Sequence, residues 1–312
     1  MNQPQNELLE DLNALRRAVE VTATLKTILD NAWFNAVETA IGNSPSGSTL
    51  GADPSGFLYE FRHPLRGVDW FEEAQKVALH GRVDALSEDS KFALWIAGID
   101  PLRTVLPLIE SRLQALESFK VKPDKVKMKL QNLRAARGSP SFRNHLFELG
   151  VLGNLALKKV LVDIEEATTA VDGVINIDGR DILVEATNTV QQVIPDFVGM
   201  SSVDANLQID QVVYKLHKKV AEGRQLARAN GKPTLLFLAR TRLGADRMSA
   251  QIALRECFSG SDFSALSGVV LADSWKFYAT SWHPGVRPDV PLTDTEGRRL
   301  SSWYGRMTNL IT

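Results

Sequence analysis

Cysteine is almost absent from this sequence: Cys257 is the only one in 312 residues. A single thiol forms no internal disulfide and no cysteine-rich zinc site, which points to a reducing compartment. Histidine is sparse too. His63, His80, His145, His217 and His283 stand at least 17 positions apart, whereas zinc enzymes place two ligands on one turn or hairpin. No apolar run approaches the roughly 18–20 residues that span a bilayer, and the polar start Met1-Asn2-Gln3-Pro4-Gln5-Asn6 does not read as a signal peptide. A dominant charge sign is also missing, the formal net charge being −1. These absences lead us to expect a cytoplasmic protein with no membrane partner, whose metal ion, if it has one, is held by oxygen ligands.

What is present is ordinary for a soluble globular chain, with 44% hydrophobic and 23% charged residues. The length suggests two domains, at about 100–200 residues each. Apolar residues recur at helical spacing through Leu8, Leu12, Leu15, Val19, Leu25 and Leu29. Turn formers over 42–56 predict a loop, followed by a mixed, mainly helical stretch with Trp70, Phe71, Phe92, Leu94 and Trp95 in its core. Pro101 opens a helix running to about Ser118. The segment 120–143 then carries eight basic residues against one acid, and Gly138-Ser139-Pro140 within it combines a helix stop with a new start. We therefore expect a mainly helical N-terminal domain over 1–138 and an α/β domain over 139–312.

The period changes after that break. Ser141 to Lys159 predicts a helix, Val160–Glu165 a strand and Val171–Ile177 a second strand. Asp178-Gly179 is a hairpin signal, and Asp181–Thr187 is the third strand, antiparallel to the second. A helix over 206–229 and a doubly buried strand over Thr234–Ala239 follow. A further helix over Asp246–Phe258 and strands near Gly268–Ala272 and Lys276–Ser281 complete the pattern. Trp275, Tyr278, Trp282 and Trp303 are expected in the core or an interface, and Gly42 to Thr49 mimics a phosphate loop in the wrong context, after a helix.

Three carboxylates fall where one site could gather them. Glu148 is mid-helix, Asp172 opens the second strand, and Glu185 interrupts the apolar run near the end of the third. Asp172 and Glu185 are about equally far from the turn, so the hairpin sets them across from each other. An unpaired charge in a half-buried strand costs several kcal/mol, so Glu185 calls for a cation or a strong hydrogen-bond partner.

Val171-Asp172-Gly173-Val174 and Asp178-Gly179-Arg180-Asp181-Ile182-Leu183-Val184-Glu185-Ala186-Thr187 together resemble the PD-(D/E)XK nuclease superfamily, over about residues 140–240. The resemblance implies a restriction-endonuclease-like α/β fold, a mixed central sheet in an α-β-β-β-α-β core. It implies metal ligation by Asp172, Glu185 and the helical Glu148, with the carbonyl of Ala186 as a further oxygen ligand. Hard oxygen donors suit Mg²⁺ or Mn²⁺, which bind phosphate oxygens and activate water. The implied activity is phosphodiester hydrolysis, with DNA as the nucleic-acid partner, and the superfamily's habit of dimerising allows a homodimer. Thr187 stands where the superfamily carries its lysine. That leaves Thr187 to hold the water, or a cation relocated to the following helix, where Gln208, Gln211, Lys215 and Lys219 form a stripe beside the apolar face. Lys215 is the expected cation, with Gln211 one turn before it. The alternative is a nuclease fold without chemistry, acting as a nucleic-acid-binding or scaffolding subunit. Basic residues over 120–143, and nine against three acids over 208–247, supply the charge a phosphate backbone needs. A third reading makes the helical N-terminal region the working, partner-binding part.

Overall fold

The computed structural model describes residues 106–136, 139, 141–165, 171–188, 231–240, 254–259, 263–273 and 281–304, with isolated positions elsewhere. The expectations for the helical N-terminal region, the 206–229 helix and most of the Lys276–Ser281 strand lie outside these residues. The chain forms two compact units, 1–111 with 132–142, and 112–131 with 143–312. The second contains the sheet. Among the described residues, no helix is long and apolar enough to cross a membrane.

The fold is mixed α/β, with a six-stranded mixed sheet and several helices. Helices α1 (Leu106–Glu117), α2 (Pro123–Ala136) and α3 (Ser141–Leu157) precede β1 (Leu161–Ile164), β2 (Gly173–Ile177) and β3 (Arg180–Asn188). Then come β4 (Thr234–Arg240), β5 (Gly268–Asp273), β6 (Ser281–Pro284) and α4 (Asp294–Tyr304). The strands lie in chain order across the sheet. β2 runs antiparallel to both β1 and β3, β4 and β5 run parallel to β3, and β6 turns back against β5.

Local chemistry explains these boundaries. α3 is buried along most of its circumference, through Phe142, Leu146, Phe147, Leu149, Val151, Leu152 and Leu155. It stops at Leu157, two residues before the pattern suggested, because Lys159 takes a left-handed conformation (φ 58°). The Lys159 and Val160 N–H groups then donate to Ala156 and Leu155 carbonyls, closing a Schellman motif. In the β2–β3 turn, Asp178 (φ 51°) and Gly179 (φ 90°) supply the two positive angles of a type I′ hairpin. The register pairs Gly173 with Val184 and Ile177 with Arg180. Gly173 is needed for packing instead: a Cβ there would lie 2.7 Å from Leu152 of α3.

β4 is buried from Thr234 to Ala239, as a central strand covered on both faces must be. Leu236 and Leu238 join Leu254, Cys257, Phe258, Phe263 and Leu266 in one cluster. Phe237 points the other way and meets Tyr304 of α4 edge-on, with ring centroids 5.5 Å apart. Trp282 is buried in β6. That strand sits at 281–284, at the C-terminal end of the expected Lys276–Ser281 strand and beyond it. α4 has no counterpart in the sequence expectations, although Thr293 and Glu296 form a reciprocal capping box at its start.

Candidate functional site

The strand register gathers acids at one end of the antiparallel part of the sheet. Ile164 pairs with Gly173, and Gly173 with Val184, so the next row holds Glu165, Asp172 and Glu185. The Glu165 N–H donates to the Asp172 carbonyl at 3.0 Å, extending the β1–β2 ladder by one step. On the other side the Asp172 carboxylate itself continues the ladder. Its Oδ2 accepts the N–H of Ala186 at 2.8 Å, immediately beside Glu185. Expected neighbours in sequence space, Asp172 and Glu185, are thus tied to adjacent backbone positions.

The third expected acid arrives from α3, and what joins it to Asp172 is a lysine. Lys129 of α2 is buried, its side chain only 7% exposed, and its Nζ donates to Glu148 Oε1. The same Nζ lies 3.1 Å from Glu165 Oε1 and 3.7 Å from Asp172 Oδ1. Burial alone would lower the Lys129 pKa; the carboxylates of Glu148, Asp172 and Glu165 outweigh it and hold the ammonium charged well above the ordinary lysine range. Burial would likewise raise Glu165, but hydrogen bonds from Lys125 and Lys129 pull its pKa below the usual glutamate value. His145, one turn before Glu148 on α3, is lowered by burial and by the charge of Lys129.

α2 is docked by a stripe of lysines at helical spacing. Lys122 pairs with Asp163 at 2.7 Å, Lys125 with Glu165 at 3.0 Å, and Lys129 sits one turn further on. Three of the eight basic residues in 120–143 therefore face acids of this same unit. Lys120 and Lys127 are exposed, and Arg143 is buried. Only part of the stretch presents charge to solvent.

The remaining expected residues divide in two. Glu185 (3% exposed) and Thr187 (4% exposed) are buried on one face of β3. The end of that strand is fixed to α3 by the Asn188 N–H, which donates to Asn144 Oδ1 at 2.9 Å. Gln211 and Lys215 lie outside the described residues. Lys129 and Glu165 are the site residues that the sequence reading missed. For Lys129 a signal was present: it falls within the apolar stripe Val126, Leu130, Leu133, where a lysine is buried rather than solvated. Glu165 carried only its place at a strand end.

Chemically, the cluster is an all-carboxylate donor set around one positive charge. Oxygen donors of this kind are the ones hard divalent cations prefer. Their charge is balanced by the Lys129 ammonium, and among the described residues no group of three or more His, Cys, Asp or Glu side chains is arranged to hold a metal ion. Compared with known proteins, the chain matches no family model, no curated protein and no solved structure.

Proposed function

We propose that the α/β unit is a restriction-endonuclease-like domain of the PD-(D/E)XK type that hydrolyses phosphodiester bonds of DNA. The observation that carries this reading is the meeting of Glu148 from α3 and Asp172 from β2 around one buried cation, beside Glu185 of β3. The order α3-β1-β2-β3-β4 supports it, since it delivers a helical acid and two strand acids in the sequence such a core requires.

In the proposed centre Glu148, Asp172 and Glu185 would hold Mg²⁺ or Mn²⁺, which would supply an activated water and charge neutralisation at the phosphate. The chain's own residues do the positioning. The Ala186 N–H fixes the orientation of the Asp172 carboxylate. The hydroxyl of Thr187, two residues beyond Glu185, both donates and accepts, and so orients a water where the superfamily has a lysine. Gln211 and Lys215, outside the described residues, remain the proposed pair for a relocated cation. Two copies acting together would cut both strands; one would nick.

The test is cleavage of supercoiled plasmid by the full chain in MgCl₂ or MnCl₂. Wild type should relax or linearise the plasmid, and Asp172→Asn and Glu185→Gln should remove activity while keeping the circular dichroism spectrum. Cutting by the double variant at the wild-type rate would overturn the assignment. One observation favours a second reading, a non-catalytic nucleic-acid-binding or scaffolding subunit: Thr187 is buried at the lysine position while a lysine ammonium occupies the acids. DNA retention without cutting, and without Mn²⁺ uptake, would select it.

A further inference from the structure

We infer that the cavity between the 284–293 segment and α4 binds a zwitterion with an apolar or aromatic side chain, a free amino acid or a dipeptide. The cavity shares no residue with the acid cluster, and its ligand does not depend on the nuclease reading. Its volume is about 410 Å³, inside the range of roughly 300–1,000 Å³ usual for small-molecule sites. One wall is a stripe of α4 at helical spacing, Asp294, Gly297, Arg298 and Ser301. The other runs through Pro284, Pro288, Pro291 and Leu292, and Trp282 of β6 closes the space between them.

The backbone holds this space open. After β6 the Gly285 N–H donates to the Ser267 carbonyl at 2.9 Å and the Asp289 N–H to the Ser264 carbonyl at 2.7 Å. The Ser267 hydroxyl donates to the Val290 carbonyl at 2.6 Å, and Arg180 donates to the Pro291 carbonyl at 3.2 Å. Three prolines fix their own φ angles between these pins, so the segment has little freedom to collapse onto α4. On the helix side Gly297 leaves the gap. Outside the helix's own backbone, a Cβ there would meet nothing nearer than Trp282 Cζ2, at 3.9 Å. A preformed cavity spares its ligand the cost of ordering the walls.

The polar groups decide the ligand. Asp294 and Arg298 stand four apart with the acid first, the arrangement that ordinarily pairs on a helix. They do not pair here: among the described residues neither makes an ion pair, and Arg298 donates to Thr295 Oγ1 at 3.3 Å instead. Ser301 accepts the indole N–H of Trp282 at 3.0 Å, which leaves its own hydroxyl proton to donate. One helix face thus offers a carboxylate, a guanidinium and a hydroxyl beside apolar walls. A zwitterion answers both charges, its ammonium on Asp294, its carboxylate on Arg298 and its side chain against the prolines and Trp282. A purely anionic ligand would pair Arg298 but bring like charge to Asp294.

Calorimetric titration of the full chain with L-phenylalanine and with the dipeptide phenylalanyl-leucine tests this. Saturable one-to-one binding of either is expected, and the tighter probe identifies the source. Its N-acetylated form lacks the ammonium and its C-amidated form lacks the carboxylate. Each should bind about tenfold more weakly, having lost one charge-assisted hydrogen bond. Arg298→Gln should weaken the zwitterion by a similar factor and leave the amidated form unchanged. Asp294→Asn should do the same while sparing the N-acetylated form. Gly297→Leu fills the cavity and improves helix propensity, so it should abolish binding without lowering Tm. Should that variant fold poorly, Asp294→Asn and Arg298→Gln, both at exposed positions, decide the matter alone. The inference is overturned by no saturable binding of either probe, by full affinity in Gly297→Leu, or by tighter binding of adenosine monophosphate than of the zwitterions.

Discussion

Replacing Lys129 by methionine removes one buried positive charge and leaves the apolar stem in place, so it isolates the electrostatic role. The contact distances set the scale. At an effective dielectric of about 20, the Glu165 contact at 3.1 Å is worth about 5 kcal/mol and the Asp172 contact at 3.7 Å about 4.5 kcal/mol before desolvation. Desolvation offsets much of this in the intact protein, because both partners give up water on folding. It does not offset the loss when only one partner is removed, because Glu148 stays buried without its counter-charge. Breaking a buried pair from one side costs about 3–5 kcal/mol, and we expect Lys129→Met to fall in that range in EDTA at neutral pH. Urea unfolding followed by circular dichroism measures it, as a lower midpoint at unchanged slope. Adding Glu148→Leu should restore part of the loss, with a coupling of about 1–3 kcal/mol. A loss below about 1 kcal/mol would refute the claim that this ammonium compensates buried carboxylates.

Three other outcomes follow from the same structure. In α3, Gly153 faces α1 so closely that a Cβ would lie 2.7 Å from the Arg112 Cβ and 2.8 Å from its carbonyl carbon. Gly153→Ala should thus lower stability by about 1–3 kcal/mol by calorimetry, despite alanine's better helix propensity, and a gain would show that the helices are not in contact. Burial, and then Glu256, push the Cys257 thiol up to about 11. Native protein should therefore resist thiol reagents at pH 8 and react after denaturation; rapid labelling of the folded chain would contradict this burial. His145 and Glu165 both hold their protons more weakly in the fold than their ordinary values of 6.5 and 4.5. The unfolded chain therefore takes up protons first, so stability is full above 6.5 and is lost as pH falls through 6.5 toward the folded His145 value, then further below 4.5. A urea midpoint that rises between pH 7 and 4 would contradict the sign.

Local signals carried most of the sheet. Asp178-Gly179 specified its hairpin because two adjacent positive φ angles admit few residues, and that turn alone set the register that aligns Asp172 with Glu185. The continuous apolar run of β4 read correctly as a doubly covered strand. α4 was illegible by periodicity, since its buried positions include Glu296, which Arg180 binds at 3.0 Å from across the chain. Glu185 is legible because a charge interrupts an apolar strand, whereas Glu165 shows only its place at a strand end. Lys129 was hidden by company: seven other basic residues surround it in sequence, and its burial depends on acids up to 43 positions away, Asp172 being the furthest. Its one signal is its place inside the apolar stripe of Val126, Leu130 and Leu133.

The proposed function requires Glu148, Asp172 and Glu185 to form a divalent-metal centre. Crystals of the full chain grown with MnCl₂, measured at the manganese absorption edge, test it most directly. The proposed function predicts an anomalous peak bounded by Glu148, Asp172 and Glu185. An ammonium still bridging Glu148, Glu165 and Asp172, with no anomalous peak among the acids, would contradict it.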